Sequence, residues 1–551
     1  MDGAALSGVA VGWLLRAPRT LLRLRLMLGS ASRTLVLSHV KVPIALLPSA
    51  TAKRLSVDAE GLVLCDVSVS FGKISAVRPA GTIRTGLTTA SINMRGCVLL
   101  SCWTDPHTHL VKTHTHLRAR NTTGTINEAL AVEVNDSTRW AACACCRPVA
   151  FSGQAAGGSR ADEDLSSTPC PNAHDISRRM EFAVASAFHH GTRSMRTHLD
   201  GVDSRDPKHR ATVYAAFDSC RERWEKKGLC IQGVANLYLP LWGAKEVAEP
   251  HVDEVVRHNG VILGAYCGNV ADTPAQQTEE ALDALFRYAH KHSLQVDLHI
   301  DETNDERCCC LLPLINSLRR ARARGYASHV LLGHCSSLAL QSEQVREAVI
   351  HGLQSLPPVS VVCNPSTNLA LQDRRGSAAP HCKSIELSVP RTPKWRGLTI
   401  IQELAAAGVS VAAATDNVRD WWHPYGDYDG LLTWKLAITL GHLDTAANEG
   451  AWAHIVSDAP AAAIGTSVSE SGSSFQEGAV ADLILFPSAR HMTELLSRPH
   501  SDRIVLRAGL VQHSALPGYE ELDDLVCTPT KLAHLPALIH RGATLVQTTE
   551  A

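Results

Sequence analysis

Two histidines separated by one residue end an apolar run in the first quarter of the chain. They lie in the segment Cys102–Leu110, which reads CWTDPHTHL. Alternate residues of a β-strand project to the same side, so His107 and His109 can reach one metal ion. Two histidines on an exposed strand produce the same string, and the pair alone therefore indicates a metal site only weakly.

Three later apolar, β-rich runs also end in residues that can bind a metal ion or transfer a proton. They lead into His299-Ile300-Asp301-Glu302, into Gly333-His334 and into Asp416-Asn417. Three imidazoles and one carboxylate form a mixed nitrogen and oxygen set that suits zinc, and also ferrous iron or manganese. We therefore expect one divalent metal ion, zinc or iron, with four ligands: His107, His109, His299 and Asp416.

Proton transfer is the second kind of chemistry that these strand ends could provide. Glu302 lies just beyond a strand end, where its carboxyl group could carry a proton to a ring nitrogen or a leaving amine. His334 could stabilise developing charge or orient a water molecule, and Asp416 could take a proton from that water. Each has a structural alternative: Glu302 could be a solvated loop residue, His334 could bond to the backbone, and Asp416 could cap a helix.

Eight β-rich segments, most of them separated by helical patterns, must position these residues. Strands that alternate with helices predict a parallel sheet, and reactive residues at strand C-terminal ends predict a (β/α)8 TIM barrel of the α/β class. The predicted strands are Val98–Thr104, Ser194–Leu199, Cys230–Leu237, Val261–Cys267, Leu294–His299, Val330–His334, Val359–Asn364 and Val409–Asp416. The fourth carries no lysine, whose carbamylated form could bridge two metal ions, so one metal is the simpler prediction.

Shorter β-rich runs with turns flank the predicted barrel at 35–100 and 471–551. They predict a small β-sandwich domain built from both chain ends, with the barrel occupying 101–470. Residues 1–34 are predicted to be an N-terminal extension. Five arginines and a single acidic residue before residue 34 resemble the composition of an organelle transit peptide. The alternative is a frayed extension without a targeting role. Residues 135–175, rich in Ala, Ser, Gly, Cys and Asp, predict a surface insertion.

Composition excludes several classes of protein. The 551 residues are 45% hydrophobic and 19% charged, as in ordinary globular proteins. A formal net charge of -1 gives no indication of a nucleic-acid or membrane partner, and no apolar run approaches the roughly 18 residues of a membrane span. The 17 cysteines are scattered and odd in number, which favours reduced thiols and a cytoplasmic location. A mitochondrial or plastid location is the alternative, and a homo-oligomer is possible.

Five further residues could contact a substrate near the predicted metal site. They are Lys112, His114, Tyr238, Asn417 and Trp422. An indole at position 422 could stack on a flat heterocycle, or it could be wedged between barrel loops. Lys112 and His114 follow the histidine pair and could equally belong to a solvated loop. His198 ends the second predicted strand and could support a metal ligand from behind.

Taken in order, these motifs resemble the metal-dependent amidohydrolase superfamily. They are DPHTHLVK (105–112), RTHLD (196–200), DLHIDE (297–302), GH (333–334), NPSTNLALQ (364–372), and DNVRD with PYGD (416–427). Within the superfamily, the chain looks most like bacterial-type cytosine deaminases and N-alkylammelide amidohydrolases, over about residues 35–510 without the insertion. The resemblance implies metal ligation by His107, His109, His299 and Asp416, and proton transfer by Glu302, His334 and Asp416. It also implies a hydrolytic deaminase in which metal-bound hydroxide attacks a ring carbon of a small heterocycle and expels ammonia or an amine.

Two departures from this family bear on the substrate. Val111 stands where relatives often have an acid. Cytosine deaminases place a glutamine after the third strand to read the pyrimidine edge, whereas this chain has Asn236-Leu237-Tyr238-Leu239 there. Such a polar reader can contribute several kcal/mol of discrimination. We therefore expect an aminated heterocycle without specifying cytosine; the alternatives are a cyclic amide or N-alkyl amidohydrolase, or a barrel that binds without catalysis.

Overall fold

The computed structural model describes residues 34–84, 89–141, 171–374, 392–445, 448–467 and 469–526. All but the last residue of the predicted extension at 1–34 lies outside these ranges. So do most of the predicted insertion at 135–175 and residues 527–551 of the predicted second domain. Among the helices within these ranges, none combines the length and the apolar character that crossing a membrane requires.

The described residues form strands in two sheets. In chain order they are β1 (Thr34–Pro43), β2 (Leu62–Ser70), β3 (Lys73–Pro79), β4 (Thr89–Asn93), β5 (Val98–Ser101), β6 (Trp103–Thr108), β7 (Thr192–His198), β8 (Cys230–Tyr238), β9 (Val261–Tyr266), β10 (Val296–Ile300), β11 (Val330–His334), β12 (Val359–Cys363), β13 (Ser410–Ala413), β14 (Leu483–Phe486), β15 (Ile504–Arg507) and β16 (Leu510–Val511).

Most of the longer α-helices lie between the strands β6 to β13. In chain order the described α-helices are α1 (Ser49–Ala52), α2 (Ile126–Ala141), α3 (Pro171–His190), α4 (Pro207–Glu225), α5 (Lys245–Val255), α6 (Ala275–His292), α7 (Leu311–Ala323), α8 (Glu343–Gln354), α9 (Pro365–Leu371), α10 (Ile401–Ala406), α11 (Gly430–Gly441), α12 (Asp458–Ala463), α13 (Met492–Ser497) and α14 (Asp523–Val526). The described ends of the predicted insertion at 135–175 are therefore helical.

Strands β6 to β13 are parallel neighbours in chain order and form the predicted barrel. Several of its strands, such as β11 and β12, are rich in Val and Leu because both of their faces are buried. The first and last strands meet at a bridge between Thr108 and Asp416. Next to it, the Asp105 carboxylate accepts hydrogen bonds from the backbone N–H and the hydroxyl of Thr415, at 3.3 and 2.5 Å. This buried contact closes the barrel directly beneath Asp416.

The second sheet combines both ends of the described chain. Its order is β16-β15-β14-β5-β1-β2-β3, and β4 pairs with β1. The predicted first barrel strand, Val98–Thr104, is wrong in its extent: β5 belongs to this second sheet, and the barrel strand begins at Trp103. The chain changes sheets at Cys102, whose N–H donates to the carbonyl of Asp482 at 3.0 Å. Residues on both sides of Cys102 are buried, so hydropathy could not separate the two strands.

A buried ion-pair network attaches α3 to the loop that follows β6. Asp175 lies 2.7 Å from both Arg118 Nη1 and Arg179 Nη2. Arg179 also donates to the carbonyl oxygens of Val111 and Thr113, at 2.6 and 2.8 Å. Burial alone would raise the pKa of Asp175, but the two guanidinium groups lower it to about 2. The network thus fixes the backbone on both sides of Lys112.

Replacing Asp175 with alanine should destabilise the protein strongly, because two buried guanidinium groups would lose their shared carboxylate. We expect a loss of about 3–5 kcal/mol in the free energy of unfolding, measured by urea denaturation. Glu249→Ala is the control, because it removes an exposed pair with Lys245; its effect should be about 0.5 kcal/mol or less. Equal unfolding midpoints for the two variants would contradict a structural role for the network.

Candidate active site

The four predicted ligands meet at the C-terminal end of the barrel. His107 lies within β6 and His109 directly after it, His299 lies near the end of β10, and Asp416 follows β13. Parallel strands bring their C-terminal ends to one face, and in barrel enzymes this face carries the reactive groups. The side chains of His107, His109 and Asp416 are almost entirely buried. Residues separated by more than 300 positions therefore share one site.

Ligand atoms of these residues and of His334 fall into two overlapping groups that could hold a cation: His107, His109 and His299 in one, and His107, His334 and Asp416 in the other. His109 Nε2 is 3.2 Å from His299 Nε2 and 3.3 Å from Asp416 Oδ1, and His107 Nε2 is 3.6 Å from the same oxygen. Ligands at about 2.1 Å from a tetrahedral zinc ion lie about 3.4 Å apart. His107 Nε2 and both Asp416 oxygens are buried without a hydrogen-bond partner. Such unpaired buried atoms are rare unless something else satisfies them, and the donor set fits one divalent cation.

The charge states of His107 and His299 are compatible with metal ligation, whereas the pKa of His109 is shifted in the opposite direction. Burial lowers the pKa of His107 and of His299 well below the usual value, so both imidazoles are neutral and keep a lone pair. Burial alone would lower the pKa of His109 as well, but Asp200 raises it to about 9. Both Asp200 oxygens lie 3.1 Å from His109 Nδ1. The carboxylate therefore holds a proton on Nδ1 and turns Nε2 towards Asp416.

Lys112, a predicted substrate contact, lies beside Asp200. Its ammonium nitrogen is 3.3 Å from Asp200 Oδ1 and 4.9 Å from the ring centre of Trp422. Burial would lower the pKa of Lys112, but Asp200 and other nearby carboxylates raise it. The Trp422 indole donates to Glu133 Oε2 at 2.8 Å, so its N–H is already used. These side chains form one wall next to the ligand cluster.

Glu302 and His334 lie together beside the ligand cluster. Glu302 Oε1 is 3.6 Å from His334 Nδ1, which is 3.9 Å from Asp416 Oδ2. Burial raises the pKa of Glu302, with partial opposition from His334. A carboxyl group with a raised pKa retains its proton closer to neutral pH, as a general acid requires. The pair can therefore hold and transfer a proton at the edge of the site.

The backbone around these two residues is held in an unusual conformation. Asp301, His334 and Asp416 have φ values of 54°, 71° and 60°. Non-glycine residues rarely adopt positive φ, and such residues concentrate at functional sites. The Asp301 carboxylate accepts from the backbone N–H groups of Cys310 and Leu311, at 2.7 and 3.3 Å. Asp301 thereby supports the turn that presents Glu302.

Hydrogen bonds also fix the ring of His334. Its Nδ1 lies 2.9 Å from Asn368 Oδ1, and its Nε2 lies 3.3 Å from Asn364 Nδ2. The hydroxyl of Thr399 donates to the backbone carbonyl of His334 at 2.6 Å. The Asn364 amide nitrogen is also 3.4 Å from Nδ1, so it lies beside both ring nitrogens. Two side-chain amides therefore contact the imidazole, in place of the single backbone bond of the structural alternative.

The remaining predicted substrate contacts, Asn417, Tyr238 and His114, differ in exposure and in the residues that they contact. Asn417 is buried and uses its amide nitrogen to bind Asp420 at 2.8 Å, within its own loop. Tyr238 ends β8, is 38% exposed, and stacks on Tyr266 with ring centres 5.2 Å apart. His114 is not brought into the cluster; its described ring contacts are those with Phe182 and Tyr519. A contact between His114 and a substrate at the cluster is therefore not supported.

Several residues with clear partners in the site were missing from the predicted set, among them Asp200 and Asn236. Asp200 holds His109, and Asn236 lies 3.0 Å from the buried ring of His198. The signal for Asp200 was present, because it directly follows a strand in the RTHLD motif. Asn236 carried no such signal, since it lies inside the apolar strand β8.

A sequence relative identifies the family. The chain is 35% identical over 492 residues to a pterin deaminase of Rhizobium rhizogenes, covering 89% of this chain and 96% of the relative. A sequence model described as "Amidohydrolase family" matches residues 265–512. The chain belongs to the amidohydrolase superfamily. The predicted resemblance is therefore confirmed, and so is the prediction of a hydrolase that acts on non-peptide carbon–nitrogen bonds.

Solved structures of other amidohydrolases share the fold. A 5-methylcytosine deaminase from Klebsiella pneumoniae with bound 5-fluorocytosine has a TM-score of 0.63 at 18% identity, over 88% of this chain and 98% of that chain. An N-isopropylammelide isopropylaminohydrolase from Burkholderia multivorans has a TM-score of 0.58 at 20% identity, over 87% of this chain and 97% of that chain. The predicted α/β barrel class is confirmed by these superpositions and by the strand order.

Proposed function

We propose that this chain is a metal-dependent hydrolase that removes an amino group, as ammonia, from a fused aminated heterocycle of the pterin class. The observation that carries the proposal is the Glu302–His334 pair beside a cluster of three imidazoles and one carboxylate. A barrel that only binds its ligand has no need for a proton-transferring pair at this position. The pterin deaminase relative, similar over nearly its whole length, supports the choice of substrate class.

His107, His109, His299 and Asp416 would hold the cation, either zinc or iron. A divalent cation supplies one kind of chemistry here: it lowers the pKa of a water ligand and so provides a nucleophile near neutral pH. The protein's own contribution is to orient the ligands. Asp200 directs Nε2 of His109 towards Asp416, and the barrel closure at Asp105 fixes the backbone beneath Asp416.

Glu302, His334 and Asp416 would manage the protons. Hydrolysis forms a carbon–oxygen bond from water, breaks the bond from the ring carbon to the amine, and releases ammonia, leaving a carbonyl group on the ring. Glu302 would give its proton to the ring nitrogen next to the reacting carbon. Asp416 would accept one proton from water, and this proton would leave with the amine. The second proton of water, on the new hydroxyl group, would pass to Glu302 as the carbonyl forms, which restores the carboxyl group. His334, 3.6 Å from Glu302, would stabilise the charge that develops during these transfers.

A two-ring substrate suits the mouth of the barrel better than cytosine. The region after the third strand, where cytosine deaminases carry a glutamine, reads Asn236-Leu237-Tyr238-Leu239 here and holds no glutamine. Tyr238 and Tyr266 are stacked and 38% and 39% exposed, which offers a flat aromatic surface. Tyr266 pairs in register with His299 on the neighbouring strand, so this surface lies next to a ligand. Aromatic surfaces of this kind favour larger planar rings.

Measuring ammonia release from pterin, cytosine, an aminotriazine and an aminopurine tests the proposal. We expect pterin to have the highest kcat/KM with zinc- or iron-loaded protein. Release of an alkylamine from an N-alkylated triazine, without ammonia from any amino compound, would favour the amidohydrolase alternative. A cation-loaded protein that converts none of these compounds would overturn the proposal in favour of a binding protein.

A further inference from the structure

A chain of three buried side chains extends from the ligand cluster towards the barrel interior. His107 Nδ1 lies 3.1 Å from His198 Nε2, and His198 Nδ1 lies 3.0 Å from the amide of Asn236. All three residues are less than 9% exposed. Each contact joins two atoms that could donate or accept, so the direction of the chain depends on where the hydrogens are.

Ligation at one end determines that direction. An imidazole that binds a cation through Nε2 is neutral and carries its hydrogen on Nδ1. His107, with Nε2 facing Asp416, must then donate from Nδ1 to Nε2 of His198. His198 consequently carries its own hydrogen on Nδ1 and needs an acceptor there. The amide oxygen of Asn236 can accept this hydrogen, whereas the amide nitrogen cannot.

The opposite direction is incompatible with a ligand at His107. If the Asn236 amide nitrogen donated to His198 Nδ1, His198 would donate from Nε2 to His107 Nδ1. The hydrogen of His107 would then lie on Nε2, the atom that faces Asp416, and no lone pair would remain for a cation. The structure places the amide nitrogen nearest His198 and leaves Asn236 Oδ1 buried without a partner. Exchanging the two ends of this nearly symmetric amide gives His198 an acceptor and leaves the lone pair of His107 Nε2 free.

A glycine on the neighbouring strand makes room for the outer end of the amide. Gly264 faces this end: a Cβ placed on it would lie 2.3 Å from the outer amide atom and 3.0 Å from the carbonyl oxygen of Asp297. The glycine leaves the room that either orientation needs.

We infer that Asn236 and His198 are positioning residues: Asn236 accepts from His198, His198 accepts from His107, and Nε2 of His107 is thereby kept free for the cation. Asp200 does the same for His109 through a carboxylate. The tautomers of His107 and His109 would then each be fixed by a partner on Nδ1. That partner is the carboxylate of Asp200 for His109 and the neutral His198–Asn236 pair for His107. Partners of this kind typically contribute a factor of about 10–100 in metal affinity. The inference rests on the proposed cation site.

Two substitutions at position 236 separate the directions. Asn236→Asp presents only oxygens, which accept but do not donate, and should keep the zinc affinity within about threefold of the original protein or strengthen it. Asn236→Leu has similar size and no acceptor, and should weaken zinc binding by about 10–100-fold. The Kd is measured by titrating metal-free protein with zinc in competition with a chelator. His251→Gln is the control, because His251 contacts the carbonyl of the neighbouring Ala235.

The outcomes distinguish this inference from the cation site itself. Weakening by Asn236→Asp as large as that by Asn236→Leu would overturn the inference, as would unchanged affinity in Asn236→Leu. If Asn236→Leu does not fold, ¹⁵N spectra of histidine-labelled, zinc-loaded original protein decide: hydrogens on Nδ1 of both His107 and His198 support the relay, and a hydrogen on Nε2 of His198 overturns it. Failure of the original protein to bind zinc or ferrous iron would refute the cation site first, and the relay with it.

Discussion

Glu302→Gln should reduce ammonia release about 10³-fold while the bound cation remains, because proton transfer by a positioned side chain contributes about 10²–10⁴-fold. The amide has nearly the same shape as the carboxyl group but cannot deliver a proton to a ring nitrogen. Glu302 is not among the four proposed ligands, so metal content, measured by elemental analysis, should equal that of the original protein. The loss should appear mainly in kcat, since the amide can still contact the substrate.

Glu306→Gln is the matched control for this prediction. Glu306 lies four positions further along the same loop and is exposed. The same chemical change there should leave both ammonia release and metal content unaltered. Full activity in Glu302→Gln would remove Glu302 from the mechanism, and metal loss in this variant would show that it is a ligand instead.

Asp416→Ala should abolish both metal binding and activity. The substitution removes a ligand whose Oδ1 is 3.3 Å from His109 Nε2 and 3.6 Å from His107 Nε2, together with the group proposed to accept a proton from water. It would leave three imidazoles without an anionic ligand. We expect ammonia release at the background rate and less than one tenth of the original metal content. Changes near a metal site typically lower the metal affinity about 10-fold or more.

Chelation of the original protein should reproduce this loss of activity, and adding zinc or ferrous iron should restore it. Asp427→Ala is the control, since Asp427 belongs to the same loop but pairs with His190 at 2.9 Å. Full metal content in Asp416→Ala would contradict its assignment as a ligand. Identical metal loss in Asp416→Ala and Glu302→Gln would contradict the division of roles between the two carboxyl groups.

Residues at strand ends were the part of the site that could be predicted. His299, His334 and Asp416 each end an apolar, β-rich run, and parallel strands must bring such ends to one face. Their convergence follows from local pattern and the rules of the fold, without knowledge of side-chain packing. The same reasoning placed His114 near the site because it follows the histidine pair, yet the loop turns its ring towards Phe182. Distance along the chain is a poor guide beyond a strand end.

Strand boundaries and hydrogen-bond partners could not be predicted in this way. The break between β5 and β6 at Cys102 lies within a continuous run of buried residues, so burial does not mark the boundary. Asn236 lies within β8 and resembles any polar residue in a strand until the ring of His198 is seen 3.0 Å away. Partners of this kind come from different strands, and their pairing depends on register across the barrel.

The amino-acid sequence by itself determined the alternation of strands and helices, the superfamily, and the set of metal-competent and proton-transferring side chains. Short segments of the chain determine these properties, because hydrophobic periodicity and the position of a residue at a strand end are local features. Tertiary structure alone decided which ring nitrogens of His107 and His109 face Asp416 and which acid supports His109. It also decided that the ring of His114 points away from the ligand cluster. Those choices depend on distances of about 3 Å between segments far apart in the chain, since a hydrogen bond is made or lost within a few tenths of an ångström.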